Sequence, residues 1–316
     1  MKNRLFQTRF VGWCLALLLT LTAQTLFAAP TKDLILTGDA RCTRCHDETE
    51  AYPVLAMGKT RHGIKSDQRL PTCSGCHGEG EKHINKPAGV SERPAPEFPY
   101  GKRTANDIAG HNDVCTSCHQ GGKFMDWAGS IHAARDVPCT SCHQLHLAKD
   151  KVRDKRTQPE VCYTCHKEQR ILANKPSHHP INEGKVVCGD CHASHGSSGP
   201  KLMVRDSIAA TCYTCHMEKR GPFVRKHEPA EDCTICHNPH GTATDNLLKT
   251  RPPMLCQQCH EPTSHRAGFP GFTAASNTAG NGQRGATQAR ACLNCHTSIH
   301  GTNNPANVGN ERTFRR

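Results

Sequence analysis

The sequence predicts a chain of short α-helices and irregular coil, with negligible β-sheet, wrapped around covalently attached groups instead of a peptide core. Three observations predict it. Twenty of the 21 cysteines fall in ten C-x-x-C-H runs. The composition is too poor for an ordinary core, at 35% hydrophobic, 5% aromatic and a mean hydropathy of −0.63, values that alone would describe a loose or disordered chain. The runs also recur along nearly the whole sequence, one for every ~29 residues beyond position 28.

A C-x-x-C-H run is the attachment signal for c-type haem, with two thiols for thioether bonds and one imidazole for the iron. The cysteine pairs are Cys42 and Cys45, Cys73 and Cys76, Cys115 and Cys118, Cys139 and Cys142, Cys162 and Cys165, Cys188 and Cys191, Cys212 and Cys215, Cys233 and Cys236, Cys256 and Cys259, and Cys292 and Cys295. Their histidines are His46, His77, His119, His143, His166, His192, His216, His237, His260 and His296. A zinc site needs four ligands and has no reason to place histidine after every second cysteine, and a disulfide framework has no use for the histidine. The fold class is therefore a multihaem cytochrome c with ten haem c groups in a linear array. Their flat apolar faces do the packing work of Leu, Phe and Trp, so the apo-chain should be largely unfolded.

Taken from its start, the chain opens with Lys2, Arg4 and Arg9, then an apolar run from Phe10 to Phe27 ending at Ala28 and Ala29. This is the layout of a secretory signal peptide over residues 1–28, followed by the decahaem domain over 29–316. An uncleaved anchor is the alternative, against which stand the shortness of the run and its Thr20, Thr22, Gln24 and Thr25. Cys14 leaves with the signal. Helical periodicity survives in two pieces, Val161 to Ala173 and Ile208 to Lys219. The Pro-rich stretch from Lys86 to Tyr100, the Gly/Ala/Asn-rich stretch from Ala267 to Gly285 and the tail from Thr302 to Arg316 read as surface loops and a loose terminus.

Motif starts at 115, 162, 212 and 256 define a repeat near fifty residues, each copy carrying two motifs. Between its motifs lies an isolated histidine (His132, His179, His227, His265), and three or four residues after the second motif lies a trailing one (His146, His195, His240, His300). His62 and His83 follow the same order in a looser first copy. Twelve of the 22 histidines stand outside the motifs, and these ten are placed to be the second axial ligands of ten irons, with His111 and His178 as surplus. A histidine three residues after its motif histidine cannot reach round the same porphyrin, so His146, His195 and His240 must serve another haem. For the isolated histidines the partner is open. Met57, Met125, Met203, Met217 and Met254 are the minority alternative ligands.

An iron with two protein ligands can change oxidation state but has no vacant position for substrate. This points to electron transfer, not catalysis. The formal charge of +12 falls to +9 without the signal, and about twenty propionates and ten ferric cores bring it to roughly −1 oxidised and −11 reduced. Many Lys and Arg residues are thus counter-charges for propionates, and no nucleic-acid partner is expected.

These residues resemble the periplasmic decahaem cytochromes of the MtrA/DmsE type, which include MtoA and PioA. The resemblance covers nearly all of the mature chain. It is carried by the ten motifs with Cys139-Thr-Ser-Cys-His-Gln-Leu-His146, Cys212-Tyr-Thr-Cys-His-Met-Glu-Lys-Arg-Gly-Pro222, Cys233-Thr-Ile-Cys-His-Asn-Pro-His-Gly241, Leu248-Lys-Thr-Arg through Cys256-Gln-Gln-Cys-His260, and Cys292-Leu-Asn-Cys-His through His300-Gly. The family pattern places second ligands at the same ten histidines. The resemblance implies an elongated haem wire, described as two five-haem halves, that sits partly inside an outer-membrane β-barrel porin. Such a wire links periplasmic or inner-membrane cytochromes, and an outer-surface multihaem cytochrome, to extracellular Fe(II), Fe(III) or manganese oxides. Five two-haem repeats and two five-haem halves are different divisions of one array, and the sequence does not choose between them. The alternative functions are a terminal multihaem reductase of a small oxyanion or metal ion and a freely diffusing periplasmic electron store.

Overall fold

The computed structural model describes residues 40–47, 49–50, 53–63, 69–100, 107–260, 292–294, 296–304 and 314. The expected signal peptide, Cys14, His265, Cys295 and the stretch 267–285 lie outside these residues. Two compact units are present, one made of Met1–Pro99 with Leu145–Ala148, the other of Tyr100–Gln144 with Lys149–Arg316.

Helices are short because the motif itself is one turn. In nine motifs the histidine N–H donates to the carbonyl of the first cysteine at 2.9–3.0 Å, and the tenth forms the helix Cys73–His77. This i to i−4 bond places two cysteines three residues apart on one face, with the histidine beside them. The backbone then leaves the helix. At His166 and His216 ψ is 65° and 53°, so the periodic stretch from 161 to 173 breaks into Gln158–Tyr163 and Lys167–Leu172. The stretch from 208 to 219 likewise divides into Ile208–Cys212 and a 3₁₀ turn Met217–Lys219.

The longest helix among the described residues, Ile108–Thr116, starts where the Asp107 carboxylate accepts the Gly110 N–H at 2.9 Å. Ser207 caps Ile208–Cys212 in the same way from Ala210 at 3.0 Å. Among the described residues there is no strand, only four isolated bridges: Ser177 with Thr242, His192 with Met203, Arg225 with Thr302, and His237 with Leu248. No helix among them is long and apolar enough to cross a membrane.

The peptide core is minimal. Buried apolar side chains among the described residues are Met57, Tyr163, Ala173, Val187, Met203 and Ala209. At about 1.5–3 kcal/mol for each large one, they fall far short of the ordering cost of about 1–2 kcal/mol for every residue fixed. Something other than side chains must fill the interior.

Of the stretches read as loose coil, the one from Lys86 to Tyr100 and the described part of the tail, residues 302–304 and 314, are tied down. Between Lys86 and Tyr100 the backbone is irregular and largely exposed, yet the Pro94 and Phe98 carbonyls accept from the Nδ1 of His83 and His77 at 2.7 and 3.1 Å. Beyond His300, Thr302 is buried and exchanges two backbone bonds with Arg225 at 2.8 and 3.0 Å. Asn303 bonds Val224 N–H and the Pro222 carbonyl, and Phe314 packs edge-on against His227 at 5.5 Å. Both stretches are polar and punctuated by Pro or Gly, and they are held by backbone and amide bonds that leave no periodicity in a sequence.

Candidate haem-binding site

Histidines come together in pairs. The ring centres of His46 and His83 are 5.9 Å apart, His77 and His146 6.1 Å, His132 and His166 6.2 Å, and His143 and His195 6.0 Å. His179 and His216 are 6.2 Å apart, His192 and His240 6.1 Å, His227 and His260 5.9 Å, and His237 and His300 6.2 Å. The separation is nearly constant while the angle between ring planes runs from 11° to 79°. Face stacking or edge packing would couple distance to angle. Two ligands on opposite sides of one atom do not, because bond lengths fix the distance and each ring turns freely about its bond. A metal–imidazole bond of about 2.0 Å and a ring nitrogen ~1.1 Å from the ring centre give ~6.2 Å across the metal.

The pairing follows the repeat. A first-motif histidine faces the isolated histidine of the preceding repeat: His166 with His132, His216 with His179, His260 with His227. A second-motif histidine faces the trailing histidine of the following repeat: His77 with His146, His143 with His195, His192 with His240, His237 with His300. At the chain start His46 faces His83 within one repeat. His62 lies in a 3₁₀ turn, Arg61–Gly63, and His119 packs on Phe124 at 5.1 Å.

Burial, as the largest effect, holds His77, His146, His195, His227, His240 and His300 below the ordinary imidazole value. These rings are therefore neutral at pH 7, the form that binds metal. The surplus histidines are engaged otherwise. His111 is buried, bonded through Nδ1 to the Asp107 carbonyl and set edge-on to Tyr100. His178 bonds the Lys175 carbonyl at 2.5 Å and Glu183 at 3.3 Å.

In eight of the paired histidines, His46, His77, His83, His132, His143, His179, His192 and His237, Nδ1 is hydrogen-bonded, which fixes tautomer and orientation. His132 and His179 bond the Ser194 and Pro239 carbonyls, each just ahead of a trailing histidine, at 2.8 and 2.7 Å. His192 and His237 bond the Lys201 and Asn246 carbonyls, nine residues on, at 3.0 and 2.8 Å. Lys201–Leu202 and Asn246–Leu247 all have φ between 53° and 59°, an uncommon region for such residues that turns those carbonyls toward the rings. His143 differs. Its Nδ1 bonds the Asp150 carboxylate at 2.6 Å, only seven residues on. Sequence reading named none of these acceptors; all but Asp150 are backbone carbonyls, which carry no residue signature.

The trailing histidines His195 and His240 are each set by the glycine that follows. Gly241 has φ 146°, and a Cβ there would lie 2.0 Å from the Leu172 carbonyl oxygen; Gly196 has φ 113° and would meet the Asp126 oxygen at 2.3 Å. Only glycine fits that approach.

The cysteines are ordered as regularly. Cys115 and Cys139 share a thiol hydrogen bond, as do Cys162 with Cys188 and Cys212 with Cys233, which lowers Cys115, Cys188 and Cys233 to about 7 and raises their partners. Burial, followed by the neighbouring Cys292, raises Cys256 to about 11. These are first cysteines of the two motifs in one repeat. Second cysteines sense those of the next repeat: Cys142 with Cys165, Cys191 with Cys215, Cys236 with Cys259. Motif follows motif without a gap from Cys115 to Cys292. Paired thiols on one face, a histidine beside them and a second histidine across ~6.2 Å fit a c-type haem.

Comparison with known proteins agrees. The family described as Doubled CXXCH motif matches residues 178–221 and 227–265, and Cytochrome c-type protein NrfB-like matches 73–158. The chain is 29% identical over 148 residues to Cytochrome c-type protein NrfB of Haemophilus influenzae, covering 41% of this chain and 65% of that protein. It is 42% identical over 275 residues to Multiheme cytochrome MtrA of Shewanella baltica (strain OS185), covering 85% of this chain and 80% of that protein. The chain belongs to the family of Multiheme cytochrome MtrA, the multihaem c-type cytochromes that hold haem c on C-x-x-C-H runs and transfer electrons.

Proposed function

We propose that the protein is a periplasmic conduit that holds ten haem c groups in series and, seated in an outer-membrane porin, links periplasmic or inner-membrane carriers to electron donors or acceptors outside the cell. The observation that carries the reading is the set of eight histidine pairs at 5.9–6.2 Å. Haem c, when bound, supplies an iron that accepts and releases one electron.

The chain does the rest. Each motif turn would hold one haem through thioethers to its two cysteines. Its histidine and the histidine opposite would both ligate the iron, which would leave no position for substrate to be activated. His62, His119, His265 and His296 are the remaining candidate ligands, which would complete ten pairs. Lys and Arg side chains neutralise propionates, and the neighbouring cysteines of successive motifs hold the attachment points close enough for a continuous path. Fe(II), Fe(III) or manganese oxides are the external partners the family resemblance suggests, and an outer-surface cytochrome is a further partner.

The match of residues 73–158 to an NrfB-like cytochrome favours a second reading, a periplasmic carrier or terminal reductase working without a porin. Reconstitution separates the two. Cytochrome and porin together in a liposome should let an external reductant reduce a dye sealed inside, and His46→Met or His296→Met should slow it. No transfer above porin alone would reject the conduit. A substantial high-spin ferric signal in the oxidised protein would favour the reductase.

A further inference from the structure

His143 is held by a carboxylate where its repeat counterparts are held by neutral carbonyls. His77, His192 and His237 occupy the same place in their repeats, and their Nδ1 groups bond the carbonyls of Phe98, Lys201 and Asn246. The left-handed turn that follows His192 and His237 is absent after His143. The connection from His143 is two residues shorter than those two, and the Asp150 side chain takes the acceptor position at 2.6 Å. Asp150 also accepts the Gln144 N–H at 3.3 Å. It stands at the start of the 3₁₀ turn Lys151–Arg153 without capping it through its side chain, so its carboxylate serves the histidine. Only 14% of that side chain is exposed.

We propose that Asp150 is a positioning residue that sets the potential of the iron held by His143 and His195, making it the hardest to reduce among second-motif sites. The inference rests on the ligation proposed above. A hydrogen bond from Nδ1–H to an anion gives the imidazole imidazolate character and makes it a stronger donor, which favours ferric over ferrous iron. A carbonyl acceptor gives less of this. His46 has a carboxylate as well, Glu50 at 2.7 Å, but both side chains are about two-fifths exposed, at 39% and 42%, where water screens the charge. Phe124 and Trp127 flank His195 at 4.4 and 6.3 Å. Their dry faces favour the ferrous form, so removing the Asp150 charge with those rings in place isolates its effect. Because Cys139 adjoins Cys115 and Cys142 adjoins Cys165, this iron is an interior step of the series, and the carboxylate makes that step uphill for an electron.

The test is redox titration of the full holo-protein with Asp150→Asn, which keeps shape and acceptor but removes charge. One electron's worth of amplitude should leave the low-potential edge. At fixed potential its ferrous-to-ferric ratio should rise tenfold or more, a shift of about 59 mV for one electron, with every haem still low-spin. Asp150→Glu should restore the wild-type curve and Glu50→Gln should move it less. Near-infrared magnetic circular dichroism of oxidised wild type should show one axial-ligand band displaced toward imidazolate, a readout independent of any variant. Superimposable titrations with all haems low-spin, or a single undisplaced band, overturn the proposal. His195→Ala should open one carbon-monoxide-binding haem. If it opens none, the ligand pairing itself fails; if it opens one while Asp150→Asn is silent, Asp150 alone is refuted.

Discussion

His240→Ala is the sharpest test of the ligand pairing. Half of the 6.1 Å between His192 and His240, less the ~1.1 Å from ring centre to nitrogen, leaves about 2 Å for each bond to an iron midway. Removing His240 vacates one of those bonds. The reduced variant should therefore bind one carbon monoxide per chain, a tenth of its haem under the proposed ten-haem loading, while wild type binds none. Refilling from elsewhere does not change the count. If His179, which lies close enough to His240 to affect its charge, swung across, it would leave His216 and open that iron instead. A reserve among the described residues is His178, whose Cβ lies near Gly241. Releasing it breaks two hydrogen bonds, a cost of about 1–3 kcal/mol that an iron bond can exceed. His178→Ala with His240→Ala closes that route and must still yield one site. His111→Ala or His178→Ala alone should leave every haem low-spin. Carbon monoxide binding by the His111 variant, or none by the double variant, would refute the assignment.

Gly241→Ala should displace His240 without touching its ring, since a Cβ 2.0 Å from the Leu172 oxygen forces the backbone apart. A loss of about 1–3 kcal/mol in denaturant stability, together with partial high-spin character at one haem, is expected. Expression without the c-haem maturation system should yield no stable protein, and amides protected from hydrogen exchange in an apo-chain would contradict that. Acid should destabilise the holo-protein with a defined sign. Burial holds six histidines below the ordinary imidazole value, so the unfolded chain binds more protons once the pH drops toward about 6.5. Melting temperature should be flat from pH 8 to 7 and fall below that value.

Short helices, and the lack of strands among the described residues, were legible because the ten motifs consume the chain. A run that must form one turn and then release its histidine cannot support a long helix, and the break at His166 shows why local periodicity from Val161 to Ala173 misleads. The two-motif repeat was legible as well, since spacing is a property of sequence. Which histidine faces which was not. His132 and His166 are 34 residues apart and His143 and His195 are 52, and no composition or period encodes that crossing. The carbonyls of Ser194, Pro239, Lys201 and Asn246 escaped for a different reason. Any residue supplies a carbonyl, and only the fold decides where it points. Asp150 could have been marked as the one carboxylate within reach of a second-motif histidine after a shortened connection, a signal visible only when the repeats are laid over one another.

The crossing changes how stability should be distributed. In an ordinary repeat array each copy touches its neighbours through a side-chain interface and can melt in turn. Here the joint between the second and third repeats is spanned by His132 with His166 and by His143 with His195, and also by the His132 bond to Ser194. The next joint repeats this with His179 and His216, His192 and His240, and the bond to Pro239. Under the proposed ligation each joint carries two iron bridges running in opposite senses along the chain, so opening one repeat requires breaking ligands on both sides. Hydrogen exchange of the holo-protein should show protection that is even across residues 115–260 and lost together. A gradient decaying repeat by repeat from either end would mean that the bridges do not couple the joints.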